Sequence, residues 1–261
     1  MFLHIYRSIV VHDIMLIQDK YELVEQIGSG GFSRVYKGRH YMKNHFVAVK
    51  FDHDEQSKIL IRNEISIYLS LLKKDALSFV NIKSFGTIEN RNYIIMDYIS
   101  CNLEHYVKTN KSISSQDLLT KLITTINKLH KCGYVHRDLK PDNLLVKNEQ
   151  VYLIDLGFAT KISDKPYYNM IGSHLFSSYN VYSSKYQYRT KDDILSCFNI
   201  IFYLFCEKPL PWETITKELD ESEKIKSVMY HMKKYTDFTK YYKLEYESGR
   251  IKDVINKFNE L

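Results

Sequence analysis

His136-Arg137-Asp138-Leu139-Lys140-Pro141-Asp142-Asn143 is the stretch on which the reading of this 261-residue chain turns. It sets an imidazole, two carboxyls, two cationic side chains and an amide around one proline. A second acidic turn, Asp155-Leu156-Gly157, follows seventeen residues after Asp138. Between them, two short strand-like pieces, Asn143–Val146 and Val151–Ile154, flank a polar turn. Before the stretch, Gln116–His130 reads as a helix with Leu118, Leu119, Leu122, Ile123, Ile126 and Leu129 on one face. After it come further helices, notably Asp193–Phe205, and a polar helical carboxyl-terminal region rich in Lys and Tyr.

Upstream of Ser100 the texture is strand-like. Five runs are expected as strands: Tyr21–Ile27, Phe32–Lys37, Phe46–Lys50, Val80–Phe85 and Tyr93–Ile99. One helix, Ser57–Leu72, is inserted among them, with Ile61, Ile65, Tyr68 and Leu72 at four-residue spacing and Glu64 on its polar side. The first two strands meet at Gly28-Ser29-Gly30-Gly31. Glycines there suit either a flexible hairpin turn or a loop whose amides approach a phosphate. The cluster opens no helix, which excludes the Rossmann and Walker A forms. Lys50 ends the third strand twenty residues after Gly30, and a Lys50–Glu64 pair would aim an ammonium at phosphates.

Composition sets the outer bounds. The length fits one large domain or two modest ones. Hydrophobic residues at 44% and charged residues at 26% exclude wholesale disorder. Nine Gly and four Pro exclude a linker-rich chain and give each of these residues a positional reason. The net charge of +6 comes from scattered bases, so no nucleic-acid partner is expected. Cys101, Cys132, Cys197 and Cys206 form no C-x-x-C pair, so neither zinc nor a disulfide framework is expected. The longest apolar run near the amino terminus, Ile9-Val10-Val11, is too short for a signal peptide or a membrane span. Met15 reads as a start, and residues 1–19 are expected to be an N-terminal extension.

These motifs, in this order, resemble a eukaryotic-type protein kinase: the eight residues from His136 match the catalytic loop H-R-D-L-x-x-x-N, and Asp155-Leu156-Gly157 a variant of D-F-G. The resemblance implies an α+β bilobal protein-kinase-like fold over residues 20–261. Its N-lobe (20–99) would be a small five-stranded antiparallel sheet with one helix, and its C-lobe (100–261) larger and mainly helical. It implies ATP and Mg²⁺ as cofactors. Asp138 would then accept the substrate hydroxyl proton, Asn143 and Asp155 would hold Mg²⁺, and Lys50, held by Glu64, would hold the α- and β-phosphates. Lys140 would reach the γ-phosphate. The loop Ile27, Gly28, Ser29, Gly30, Gly31, Phe32, Ser33, Arg34 and Val35 would cover the nucleotide. Val35, Ala48 and Leu145 would sandwich adenine, Met96 would line the back of its pocket, and the backbone from Asp97 to Ile99 would bond its edge. The Lys140-Pro141 form of the loop is similar to that of serine/threonine kinases.

Several segments are similar to the casein-kinase-1 group in particular: the hinge from Met96 to Glu104, Ser178-Tyr179-Asn180 in place of Ala-Pro-Glu, Asp192-Asp193, and Leu210-Pro211-Trp212. Ser33 replaces the third loop glycine and Leu156 the usual Phe, both tolerable changes. Thr160, Leu175 and Tyr168 stand where that group has bases that read phosphorylated substrates, so that specificity is not carried over. Ser163, Tyr167, Tyr168 and Ser173 lie in the expected activation segment, where composition alone accounts for the tyrosines. Trp212 is expected as a core anchor. Expected partners are proteins phosphorylated on Ser or Thr, with no membrane association. The expected state is a monomer, intracellular, in the cytoplasm with the nucleus left open. Two alternatives stay open: a nucleotide-binding pseudokinase or scaffold, and a kinase-fold enzyme acting on small metabolites.

Overall fold

The structure is a computed structural model that describes residues 16–74, 79–163, 171–183, 186–217 and 223–261. Residues 1–15 of the expected extension, together with Pro166, Tyr167 and Tyr168, lie outside the described residues. The chain forms two compact units that part between Ser100 and Cys101.

The first unit is an antiparallel sheet and one helix. Its strands are β1 (Leu16–Ile17), β2 (Tyr21–Ser29), β3 (Ser33–His40), β4 (Phe46–Asp52), β5 (Ile82–Ile88) and β6 (Arg91–Asp97), in the order β1-β2-β3-β4-β6-β5. The sheet thus has six strands where five were expected. The sixth comes from the segment assigned to the extension, with Leu16 opposite Glu22 and Ile17 opposite Tyr21. Two residues carry no alternation to detect. The turn that returns them uses left-handed Gln18 and Asp19 (φ 55° and 52°), with the Lys20 amide on the Ile17 carbonyl at 3.2 Å. Strand β6 ends at Asp97, short of the expected Ile99.

Pairing register decides which side chains share a face, because opposed residues point the same way and neighbours alternate. Val47, Val49 and Phe51 of β4 join Ile17, Tyr21, Tyr93 and Ile95 in a buried cluster. Ala48 and Lys50 therefore face the other way. Opposite them stand Val35 and Ile94 (across from Lys50) and Met96 (across from Ala48).

Helix α1 (Glu55–Leu72) starts at Asp54, whose carboxylate accepts the Ser57 amide at 2.8 Å. Its buried stripe is Ser57, Ile61, Glu64, Ile67, Tyr68 and Leu71, while Leu72 is exposed. A strict spacing of four drifts off a 3.6-residue turn, so Glu64, expected on the polar side, belongs to the buried face.

The second unit holds α2 (Leu103–Thr109), α3 (Ser115–Lys131), α4 (Thr190–Phe205), α5 (Glu213–Lys217), α6 (Glu223–Tyr235), α7 (Phe238–Tyr241), α8 (Lys243–Glu247) and α9 (Lys252–Asn259). Two small antiparallel sheets, β7 (Tyr134–Val135) with β10 (Thr160–Lys161) and β8 (Leu144–Lys147) with β9 (Gln150–Leu153), lie among them. Helix α3 buries Leu118, Leu119, Leu122, Ile126 and Leu129 as the periodicity predicts. Helix α4 is buried on nearly every side, which makes it the unit's centre. An aromatic cluster closes around it: Phe202 stacks on Phe238 at 4.5 Å, and Phe238 meets Phe258 at 4.9 Å and Trp212 at 6.2 Å. Trp212 is buried, as expected of an anchor. All four cysteines are free.

Candidate active site

In the first unit the glycine cluster forms the β2–β3 turn. The Gly30 amide bonds the Ser33 carbonyl at 3.0 Å, and Gly28 opposes Val35. A Cβ added at Gly30 or Gly31 would meet nothing within 4 Å. The unit's own packing therefore does not require glycine there. Glycine instead leaves a strip of backbone that a ligand's phosphates could approach closely. Ile27, Ser29 and Phe32 are exposed beside it, and Ser33, Arg34 and Val35 are half-buried where β3 begins. On the β4 face turned away from the core, the Lys50 ammonium lies 2.7 Å from the Glu64 carboxylate, both buried. Ala48 and Met96 are buried on that face, next to half-buried Val35. Ile94, fully buried and across from Lys50, completes this apolar surface and escaped the sequence reading, since a hydrophobic strand residue has no local mark of its face. The Asp97 amide is bonded to the Asn81 carbonyl at 3.0 Å and its carboxylate to Lys83 at 2.8 Å; Ile99 is half-buried two residues beyond the strand.

In the second unit the residues of the His136–Asn143 loop converge on Asp138. Its Oδ1 accepts the Ser173 amide at 2.8 Å, and its Oδ2 accepts Lys140 Nζ at 3.1 Å and Asn143 Nδ2 at 3.2 Å. Asn143 Nδ2 also donates to the Asp138 carbonyl at 2.8 Å. That leaves the amide oxygen of Asn143 as the atom a hard cation would take. His136 Nδ1 accepts the Asp138 amide at 3.2 Å, so Nε2 carries the proton and donates to the Ile154 carbonyl at 3.2 Å.

The β8–β9 hairpin brings the second acid to the same place. Leu144 opposes Leu153, and the Ile154 amide bonds the Asn143 carbonyl at 3.0 Å, so Asn143 and Asp155 sit at one end of the hairpin. Asp155 is left-handed (φ 60°), an uncommon state for a non-glycine residue and one that gathers at functional sites. Leu145, half-buried on β8, lies against Asn102.

Two anchors of this loop are far away in sequence. Asp193, fully buried in the first turn of α4, accepts the His136 amide at 2.8 Å, the Arg137 amide at 3.1 Å, the Tyr188 hydroxyl at 2.7 Å and His130 Nε2 at 2.9 Å. Burial alone would push its carboxyl up. The His130 hydrogen bond, the nearby imidazoles and the His136 amide outweigh burial and hold it below the ordinary range. Its neighbour Asp192, raised by burial, accepts Ser178 Oγ at 2.5 Å and Asn180 Nδ2 at 2.8 Å. Gly172, the second anchor, is left-handed (φ 95°), and a Cβ there would lie 2.2 Å from the Arg137 carbonyl oxygen. The Asp192-Asp193 motif is visible in the sequence, but its partners 56 and 57 residues upstream are not.

The protein kinase domain family model matches residues 21–260. This chain belongs to the protein kinase family. A protein kinase domain uses ATP and a divalent metal to phosphorylate proteins, and the residues present fit both groups. Among the described residues no cluster of three or more His, Cys, Asp or Glu is arranged to hold a metal. One carboxylate and one amide at the end of a hairpin instead suit a cation that takes most of its ligands from phosphate and water, as Mg²⁺ does. Among the described residues of this kinase domain no helix is long and apolar enough to cross a membrane.

Proposed function

We propose that this chain is an active serine/threonine protein kinase of the casein-kinase-1 type, using ATP and Mg²⁺, monomeric and intracellular, in the cytoplasm or nucleus. The observation that carries the reading is the Asp138 carboxylate, fixed by a backbone amide on one oxygen and by Lys140 and Asn143 on the other. A base held on both oxygens is oriented in advance for one proton, which is what in-line phosphoryl transfer asks of the protein.

Asp138 accepts the proton of the substrate Ser or Thr hydroxyl as that oxygen bonds to the γ-phosphorus. The bond from the γ-phosphorus to the bridging oxygen breaks, and ADP leaves with the electron pair. Lys140 follows the charge that develops on the γ-phosphoryl oxygens. Lys50, oriented by Glu64, holds the α- and β-phosphates under the Gly28–Val35 turn, and Val35, Ala48 and Met96 offer the adenine an apolar face. Asn143 and Asp155 would hold Mg²⁺, which would supply positive charge to offset that of the phosphates. The Ser/Thr assignment is supported by Lys140-Pro141, and the group assignment by Ser178-Tyr179-Asn180 and Asp192-Asp193. No preference for phospho-primed substrates is proposed, because Thr160 and Leu175 bear no charge.

Incubation with radiolabelled ATP, Mg²⁺ and casein or a mixed peptide library should label Ser and Thr. Asp138→Asn should cut the rate at least about a thousandfold, as loss of a positioned base and its charge does, with ATP affinity changed less than about threefold. Nucleotide binding without turnover on any substrate would instead assign the chain to the pseudokinases.

A further inference from the structure

One buried cation lies outside the machinery described above. Lys233, on α6, is buried, and its ammonium reaches the carbonyl oxygens of His174 (2.7 Å), Ser177 (2.6 Å) and Leu175 (3.4 Å) and the Ser177 hydroxyl (3.3 Å). Its other neighbours are the faces of Trp212, at 4.8 Å, and Tyr182, at 5.6 Å. No carboxylate is among its partners in the described residues. Burial pushes the amine well below the usual lysine range.

Stability alone does not call for Lys233, because a buried charge replaced by a well-packed apolar side chain is often neutral or better. The backbone does call for it. The chain turns back on itself here, with the Ser177 amide on the Ser173 carbonyl at 3.0 Å, and the carbonyls of residues 174, 175 and 177 converge. Converging carbonyl dipoles repel unless a cation or a set of donors sits at their focus. Trp212 Nε1, on the Leu175 carbonyl at 2.8 Å, and Asn199 Nδ2, on the Phe176 carbonyl at 3.0 Å and the Ser177 carbonyl at 3.2 Å, complete that set. The other end of the same turn touches the catalytic loop: the Ser173 amide is the group on Asp138 Oδ1, and Gly172 lies against the Arg137 carbonyl.

We propose that Lys233 is a positioning residue: its ammonium gathers the carbonyls of residues 174, 175 and 177 and so holds the 172–177 turn whose Ser173 amide orients Asp138. The catalytic consequence rests on the function proposed above; the clamp itself does not.

The test compares full-length wild type with Lys233→Met, reading hydrogen exchange and steady-state kinetics together. In the variant, exchange of the Ser173–Ser177 amides should rise at least tenfold while that of Leu118–Leu129 in α3 stays unchanged. The value of kcat should fall at least tenfold, with the KM for ATP within twofold of wild type. Should the methionine variant fail to fold, Lys233→Gln, which keeps two N–H donors and loses the charge, bears the same comparison. Unchanged exchange and kcat in a folded variant would overturn the proposal. So would exchange that rises equally in α3, since that is general loosening. A wild type that transfers no phosphate to any substrate would sink the functional reading alone, and exchange would still decide the clamp.

Discussion

At Lys50 the ammonium lies 2.7 Å from the Glu64 carboxylate, with both groups out of water. Removing one member of a buried ion pair is costly, whereas replacing both partners with apolar residues removes the desolvation cost together with the attraction. Glu64→Ala should therefore destabilise the protein by about 3–5 kcal/mol. The double variant Lys50→Met/Glu64→Leu should unfold in urea within about 1–2 kcal/mol of wild type and still transfer no phosphate. A double variant as unstable as the single one would mean that the pair is a net source of stability. Lys50 was legible as the polar end of an apolar strand. Glu64 was legible as a partner by its place on the next helix but not as a buried one, because its face depends on the true helical pitch.

Among the connecting elements, two glycine turns make opposite demands. Gly172 combines a left-handed backbone with a Cβ position 2.2 Å from the Arg137 carbonyl oxygen. Alanine there must displace the catalytic loop, and a displacement near 1 Å costs about a hundredfold in rate. Gly172→Ala should thus lose at least that much activity while the far-ultraviolet circular dichroism of the helices persists. Gly30→Ala meets open space, so its unfolding free energy should change by less than about 0.5 kcal/mol. Its KM for ATP should rise severalfold, and an unchanged KM would argue against a phosphate at that turn. Helix α3 was readable from its apolar stripe, except that Ile123 is half-buried and Thr125 is buried in that face. The tight turns at Gln18-Asp19 and Glu89-Asn90 were not, since all four residues are left-handed without a single glycine to mark them, whereas the Asn148-Glu149 turn was readable from the strand-like pieces on either side of it.

Across the molecule, Asp193 shows how distant segments are tied to one chemistry. Its carboxylate joins α3, the catalytic loop and α4 through His130, His136, Arg137 and Tyr188. Because its folded pKa lies below the ordinary value, it contributes stability that is complete above the unfolded pKa, about 4, and lost as pH falls through the lower folded one. Urea midpoints followed from pH 7 to pH 3 should show wild type well above Asp193→Asn at neutral pH, with the gap closing in acid. A gap independent of pH would mean that the carboxylate charge is not what holds the loop.

The sequence alone set out the candidate groups and their order along the chain: the turn of glycines, Lys50, the His136–Asn143 loop and Asp155 are local patterns, legible because side-chain identity and short spacing suffice. The tertiary structure decided what requires closure over long distances. It buried the Lys50–Glu64 pair, and it placed the Ser173 amide on Asp138, Asp193 under His136 and Lys233 at the focus of three carbonyls. Those groups meet because burial drives the great majority of polar atoms to find partners, wherever in the chain those lie.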